Sequence, residues 1–168
     1  MAHIPGMALL QKTWLPPASL LAISGAVLLT AFLFEHVGGL APCELCWYQR
    51  YAHIAALAAA IPALVFCRRD GISAPLLAAS ALALLIGAGL AGYQVGVERG
   101  WFQSSCAASI TGGTIEQLRA QLRAAPVVRC DEVAWSLWNI SMAGWNGLLS
   151  LALGSGALYA ALMRERVV

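Results

Sequence analysis

Charge is scarce in this 168-residue chain. Charged residues make up 11% and hydrophobic residues 60%, against about 25% charged in soluble domains. That shortage excludes an ordinary water-soluble domain and points to the bilayer. A net charge of +2 gives no footing for nucleic acid. There is no second Cys-x-x-Cys, and position 47 is Trp47 rather than histidine. A paired-cysteine zinc site and a c-type haem attachment site therefore lack their signatures, and no metal is expected. No small-residue cleavage pattern follows the first apolar run, which argues against a removed signal peptide. Pro42 occupies the place where a lipid-anchor reading of Leu40-Ala41-Pro42-Cys43 needs a small residue.

Long apolar runs are what the chain has instead. Four can span a membrane: Ala18 to His36, Tyr48 to Phe66, Pro75 to Gln94 and Gly144 to Met163. Each is close to the roughly 20 residues a helix needs to cross a ~30 Å hydrocarbon core. Helices are expected because lipid cannot satisfy open backbone groups. The sequence thus predicts an all-α membrane protein, a four-transmembrane-helix bundle. Residues 1–168 form a single integral membrane domain, with outer loops over 37–47 and 95–143.

Orientation follows from the basic residues. Lys12, Arg68, Arg69, Arg164 and Arg166 share one side, while the short loop between the first two runs has only Arg50 at its edge. The long loop carries Arg99, Arg119, Arg123 and Arg129, balanced by Glu98, Glu116, Asp131 and Glu132. Short-loop bias places both termini in the cytoplasm. Of the five cysteines, Cys43 and Cys46 then fall in the first outer loop and Cys106 and Cys130 in the second. Cys67 is left alone on the reducing side.

Within the long loop, Thr114-Ile115-Glu116-Gln117 reads as a capping box. Ile115, Leu118 and Leu122 share one face of the helix it would open, and Pro126 limits that helix. Such a short amphipathic helix fits the membrane surface, or equally packing on the rest of the loop. Gly92 and Gly96 form a G-x-x-x-G, with Gly25, Gly144, Gly147, Gly154 and Gly156 as further small positions for close helix packing. Trp14, Trp47, Tyr48, Trp101, Trp135, Trp138 and Trp145 flank the spans, as an interfacial belt does.

Cys43 and Cys46 are the main candidates for chemistry. Two intervening residues allow a small, reversible disulfide ring, and Pro42 stiffens its approach. Cys46 opens the second span, where unpaired N–H groups and the helix dipole favour a thiolate, the reactive form. The spacing leaves a structural disulfide and half a zinc site open, with His36 as the nearest further ligand. Arg50 lies one turn after Cys46 on the same face and is placed to stabilise a thiolate or to snorkel to the interface. His53 extends that face, where a packed, hydrogen-bonded histidine is the simpler reading. Cys106 and Cys130 would close a loop across the surface helix. Their own context favours a structural crosslink worth about 3 kcal/mol. A catalytic role would need an exposed bond, for which Gln103-Ser104-Ser105 and the neighbouring Arg129 offer access and charge.

The chain resembles the DsbB family of disulfide bond formation proteins over nearly its whole length. The resemblance rests on Pro42-Cys43-Glu44-Leu45-Cys46-Trp47-Tyr48-Gln49-Arg50, on the four spans and on the second cysteine pair in the long outer loop. It implies an enzyme, an inner-membrane thiol:quinone oxidoreductase of bacteria. Such an enzyme reoxidises the periplasmic dithiol oxidase DsbA, a strong oxidant at about −120 mV. Electrons pass to a membrane quinone, ubiquinone or menaquinone. By match of position, Cys106 accepts the DsbA thiolate and Cys130 attacks Cys43. Cys46 is then freed as a thiolate beside the quinone, with Arg50 and Cys46 forming the quinone site. Over Tyr93 to Trp101 the family's histidine is missing, and Arg99 stands in that area. Cys67 has no family role.

Other functions fit part of this pattern. One is a paralogous oxidase for another thioredoxin-fold partner. Another is a vitamin K epoxide reductase-like protein, whose Cys-x-x-Cys would sit near the end of a later helix. A third is a non-enzymatic membrane protein stapled by two structural disulfides.

Overall fold

In a computed structural model the described residues are 13–103, 106, 113–124 and 128–165. Lys12, Ser104, Ser105, Pro126 and Arg166, invoked above, lie outside them. The chain is mostly helical: α1 (Leu15–His36), α2 (Glu44–Val65), α3 (Asp70–Glu98), α4 (Ile115–Ala124) and α5 (Met142–Glu165), with β1 (Ser136–Leu137) and β2 (Ile140–Ser141) before α5. Among the described residues three helices are long and apolar enough to cross a membrane: α1, α3 and α5 as far as Arg164. This is a multi-pass membrane protein. Helix α2 has 22 residues, but its first half carries Glu44, Gln49, Arg50 and His53, which lower its apolarity.

Helices α1 and α2 begin before their apolar stretches because local residues, rather than hydropathy, set their starts. Helix α2 starts at Glu44 instead of Tyr48 because Cys43 is its N-cap. The Cys43 sulfur accepts the backbone N–H of Cys46 at 3.3 Å. Helix α1 starts at Leu15, where Pro16 and Pro17 fit the first turn. Helix α4 opens on reciprocal bonds: Thr114 N–H donates to Gln117 Oε1 at 3.0 Å, and Gln117 N–H to Thr114 Oγ1 at 3.4 Å.

Helix α3 packs on α2 and α5, and α1 leans chiefly on α2. The core where they meet is rich in small residues, among them Ala56, Ala60, Ala63, Ala81, Ala157 and Ala161. Small side chains let backbones approach, which matters where lipid supplies no hydrophobic drive between helices. Serines then bond across the seams: Ser73 Oγ to the Ala63 carbonyl and Ser80 Oγ to the Ala56 carbonyl, each at 3.1 Å. The outer faces stay apolar, with Leu29, Ile61, Leu82, Ile86 and Leu151 exposed.

The glycine pattern holds at Gly147 and Gly154 and is corrected elsewhere. A Cβ at Gly92 would meet nothing within 4 Å, and one at Gly96 would first meet Phe102 in the following turn. Gly25 and Gly156 are equally open, and Gly144 meets mainly the preceding Ile140 and Ser141. The close crossings are at Gly87 against Ala52, Gly147 against Ala91 and Gly154 against Leu85. The hairpin β1–β2 had no signal of its own, since its turn is Trp138-Asn139 with φ of 52° and 60°. Asparagine tolerates that region and tryptophan does not favour it. The hairpin carries Leu137 and Trp138 over the Cys43 end of the bundle.

Candidate functional site

Cys43 and Cys46 stand at the start of α2 as a reduced pair, their sulfurs 2.8 Å apart. The N-cap position of Cys43 puts Cys46 one turn in, on the same side. Both lie ahead of the apolar stretch that begins at Tyr48. A thiol so placed donates to its neighbour, and this is the main reason Cys46 is lowered to about 6. Backbone N–H bonding, Gln94 and, least of all, the Arg50 charge add to it, against burial. The same bond, together with burial, pushes Cys43 well up. The reduced pair is therefore one thiolate on Cys46 and one thiol on Cys43 at neutral pH.

A titration follows. Reduced protein alkylated at Cys46 should show a midpoint near pH 6, slow below it where sulfur is protonated and fast above it. The pair's potential should fall by about 59 mV per pH unit below that midpoint and about 30 mV above it, as one proton fewer accompanies reduction. A midpoint between 8 and 9, the range of a free cysteine, would contradict this assignment.

Cys106 and Cys130 form a disulfide with a Cα–Cα distance of 5.5 Å. They pack with Cys43, Leu45 and Val97 in one buried cluster, with Cys46 against it. The structure thus brings all four cysteines together. It differs from the sequence reading in access, because Cys106 is 4% and Cys130 0% exposed. Arg129 does not serve Cys130 as expected: it forks onto Asp131 through Nε at 3.0 Å and Nη2 at 2.5 Å. Cys67 lies beyond the far end of α2, about 30 Å away by helix rise.

Beside the pair is a cavity of about 550 Å³, within the range of small-molecule sites. Its lining is mostly apolar, reaching Ile23 and Val27 on α1 and Leu149 on α5. Cys46, Gln49, Arg50 and His53 enter from α2, Gln94 and Glu98 from α3, and Asn146 from α5. Trp135, Trp138 and Trp145 line it too, so an interfacial belt does not account for them fully. A flat, largely apolar ring with two hydrogen-bonding oxygens fits that volume and lining.

Arg50 is buried beneath the pair and only partly as expected. Its guanidinium is salt-bridged to Glu35 and bonds the Ala31 carbonyl at 3.2 Å. It lies between the rings of Phe32 and Trp47, 4.9 Å from each centroid. Its charge is largely spent on Glu35. Arg99 is not in the cavity wall; it sits over Trp101 at 5.5 Å. His36 stacks on Phe32, and among the described residues no three His, Cys, Asp or Glu side chains are grouped to hold a metal. Glu35, Gln49, Gln94 and Asn146 were missed. Each is a polar residue in or beside an apolar run, which is the signal that marks such sites.

The chain is similar to known proteins over most of its length. The chain is 29% identical over 139 residues to "Uncharacterized protein RP370" of Rickettsia prowazekii (strain Madrid E), covering 80% of this chain and 79% of that one. It is 29% identical over 152 residues to "Disulfide bond formation protein B" of Marinobacter nauticus, covering 84% and 88%. No solved structure matches. The family model "Disulfide bond formation protein DsbB" matches residues 14–160, and the chain belongs to the DsbB family of disulfide bond formation proteins.

Proposed function

We propose that this protein is a thiol:quinone oxidoreductase of the bacterial inner membrane that reoxidises a DsbA-like periplasmic thiol oxidase. One observation carries the reading: a reduced Cys43–Cys46 pair lies between a second, oxidised pair and an apolar cavity. In this reading α2 is the fourth span, over Tyr48 to Phe66. The termini are cytoplasmic and the four cysteines periplasmic. Helix α4 rests on the outer membrane surface, because Ile115 and Leu118 are uncovered by the rest of the protein.

The relay conserves two electrons at each step. A partner thiolate attacks Cys106, forming a mixed disulfide and releasing Cys130 as a thiolate. Cys130 attacks Cys43 in an oxidised first pair, and Cys46 leaves as the thiolate its surroundings favour. The partner's second thiol then frees its own disulfide and releases Cys106. Cys106 in turn attacks Cys130 to restore the second pair and release Cys43. The buried second pair must be uncovered for the first attack. Arg50 and the neighbouring amides would hold a quinone in the cavity, and when bound it would supply the two-electron sink for return of Cys43 and Cys46 to the disulfide.

Trapping tests the reading. Cys130→Ser should accumulate a mixed disulfide between Cys106 and a DsbA-like protein, visible on non-reducing gels. If no adduct forms, and Cys43 and Cys46 stay oxidised when oxygen and quinone are removed, the disulfides are structural.

A further inference from the structure

The cavity wall holds more polar side chains than a flat apolar ligand needs, and they are joined head to tail. Gln94 Nε2 lies 3.6 Å from the Cys46 sulfur, nearer than Gln94 Oε1 at 3.9 Å, which can accept from the thiol but not serve the thiolate. Gln49 Nε2 donates to Gln94 Oε1 at 2.6 Å, and Asn146 Nδ2 donates to Gln49 Oε1 at 2.7 Å. Asn146 Oδ1 stands 2.9 Å from His53 Nε2. An amide oxygen can only accept, so His53 Nε2 carries the hydrogen and donates to it, with the Ser150 hydroxyl also 3.2 Å from that nitrogen. The other ring nitrogen is then a bare acceptor, and His53 Nδ1 is buried with no partner among the described residues. One N–H of each link is therefore handed on toward Cys46, while the second hydrogen of Gln49 goes to the Leu45 carbonyl at 3.3 Å.

We propose that Gln94 is a hydrogen-bond donor to the Cys46 thiolate and that Gln49, Asn146 and His53 are positioning residues that fix its direction. This rests on Cys46 being the reactive thiolate, and it adds residues from three helices to that site. Turning Gln94 over would aim its oxygen at the sulfur and its NH₂ at the NH₂ of Gln49. Gln49 would have to turn as well, then Asn146, and finally His53 would have to change tautomer. Gln49, His53 and Gln94 are 5%, 2% and 5% exposed, so water does not readily substitute for a lost link. Hydrogen bonds in such a series also polarise one another, by about 10–30% each. Two residues without a direct bond to the sulfur, His53 about 10 Å further along α2 and Asn146 on α5, thereby act on Cys46.

Other ionisable groups face the same place. Cys43 donates from the N-cap, and Arg50 with Glu35 lies one turn below. Glu98 Oε1 is 3.4 Å from Gln94 Nε2 and takes its other hydrogen. Arg129 and Glu132 line the cavity from the loop. The test therefore rests on neutral substitutions within the amide chain, with Gln94→Glu as the one charged comparison.

The readout is the pH dependence of iodoacetamide labelling at the Cys46 peptide, on full-length reduced protein in nanodiscs without quinone. Gln94→Leu should raise the midpoint by about one pH unit, a tenfold loss of thiolate below it. Gln94→Glu, the same shape with its donor replaced by an acceptor, should raise it further. Asn146→Leu and His53→Leu should each raise it by about half a unit. His53→Gln, which keeps an N–H at that end, should restore most of the loss. A midpoint unmoved by Gln94→Leu and Asn146→Leu overturns the proposal. Should those variants fail to fold, the infrared difference spectrum of the unmutated protein decides. Ionising Cys46 must shift a glutamine amide band, and no shift sinks the idea. A midpoint between 8 and 9 in the unmutated protein would instead sink the reading of Cys46 itself.

Discussion

Cys46→Ser stops thiol-driven quinone reduction, by at least about 10³-fold, the scale of losing a covalent nucleophile. The protein should still fold and keep its Cys106–Cys130 disulfide. A serine hydroxyl can neither leave as a stable anion nor form the second half of a disulfide. Nothing else on the cavity wall replaces it: Cys43 is left without a partner sulfur to close a disulfide, and Gln49, Gln94 and Asn146 have no redox chemistry. Stopped-flow absorbance of the quinone, with a reduced DsbA-like protein as donor, measures the rate. Cys43→Ser makes an informative companion. It also blocks turnover, yet its hydroxyl can still donate to Cys46 from the N-cap, so the Cys46 labelling midpoint should stay low. Cys43→Ala removes the donor and should move that midpoint toward the ordinary thiol range. Residual quinone reduction above a few per cent in Cys46→Ser would place the electron exit elsewhere.

The two cysteine variants separate what was legible in the sequence from what was not. The spacing of Cys43 and Cys46, the stiffening Pro42 and the start of an apolar run pointed to a thiolate at a helix start. Local chain geometry needs no tertiary information. That Cys43 is itself the cap was not legible, because a sulfur is an unusual N-cap and the apolar stretch begins later, at Tyr48. The partners of Cys46 were hidden for a different reason. Gln94 and Asn146 sit 48 and 100 residues away in sequence, and only packing of α3 and α5 against α2 brings them in. Their visible trace was polarity within apolar runs. Glu35 was hidden likewise, at the end of α1, although Arg50 was evident one turn after Cys46. The G-x-x-x-G pair misled because it states a spacing and not a partner. Gly92 faces open space, whereas Gly147, read as a packing position, and Gly87, which was not, meet alanines across the seam.

Arg50 carries the second large effect, on stability before chemistry. Arg50→Ala strands the Glu35 carboxylate and frees the Ala31 carbonyl, and it removes a cation from between Phe32 and Trp47. Breaking one side of a fully buried pair costs about 3–5 kcal/mol. Glu35 keeps some contact with water, at 20% side-chain exposure, so about 2 kcal/mol is expected, read as a lower unfolding temperature in detergent. Arg50→Met with Glu35→Leu should recover most of that loss, since no charge is left without its partner. Quinone reduction should not recover, because the cation in the cavity wall is gone from both variants. The deficit should appear mainly in the quinone KM. The Cys46 labelling midpoint should move less than in Cys43→Ala, because the guanidinium is already committed to Glu35 and acts on the sulfur only through its residual charge. If Arg50→Ala instead moves that midpoint as far as Cys43→Ala does, Arg50 is a direct partner of the thiolate, and the ion pair with Glu35 must open when Cys46 is charged.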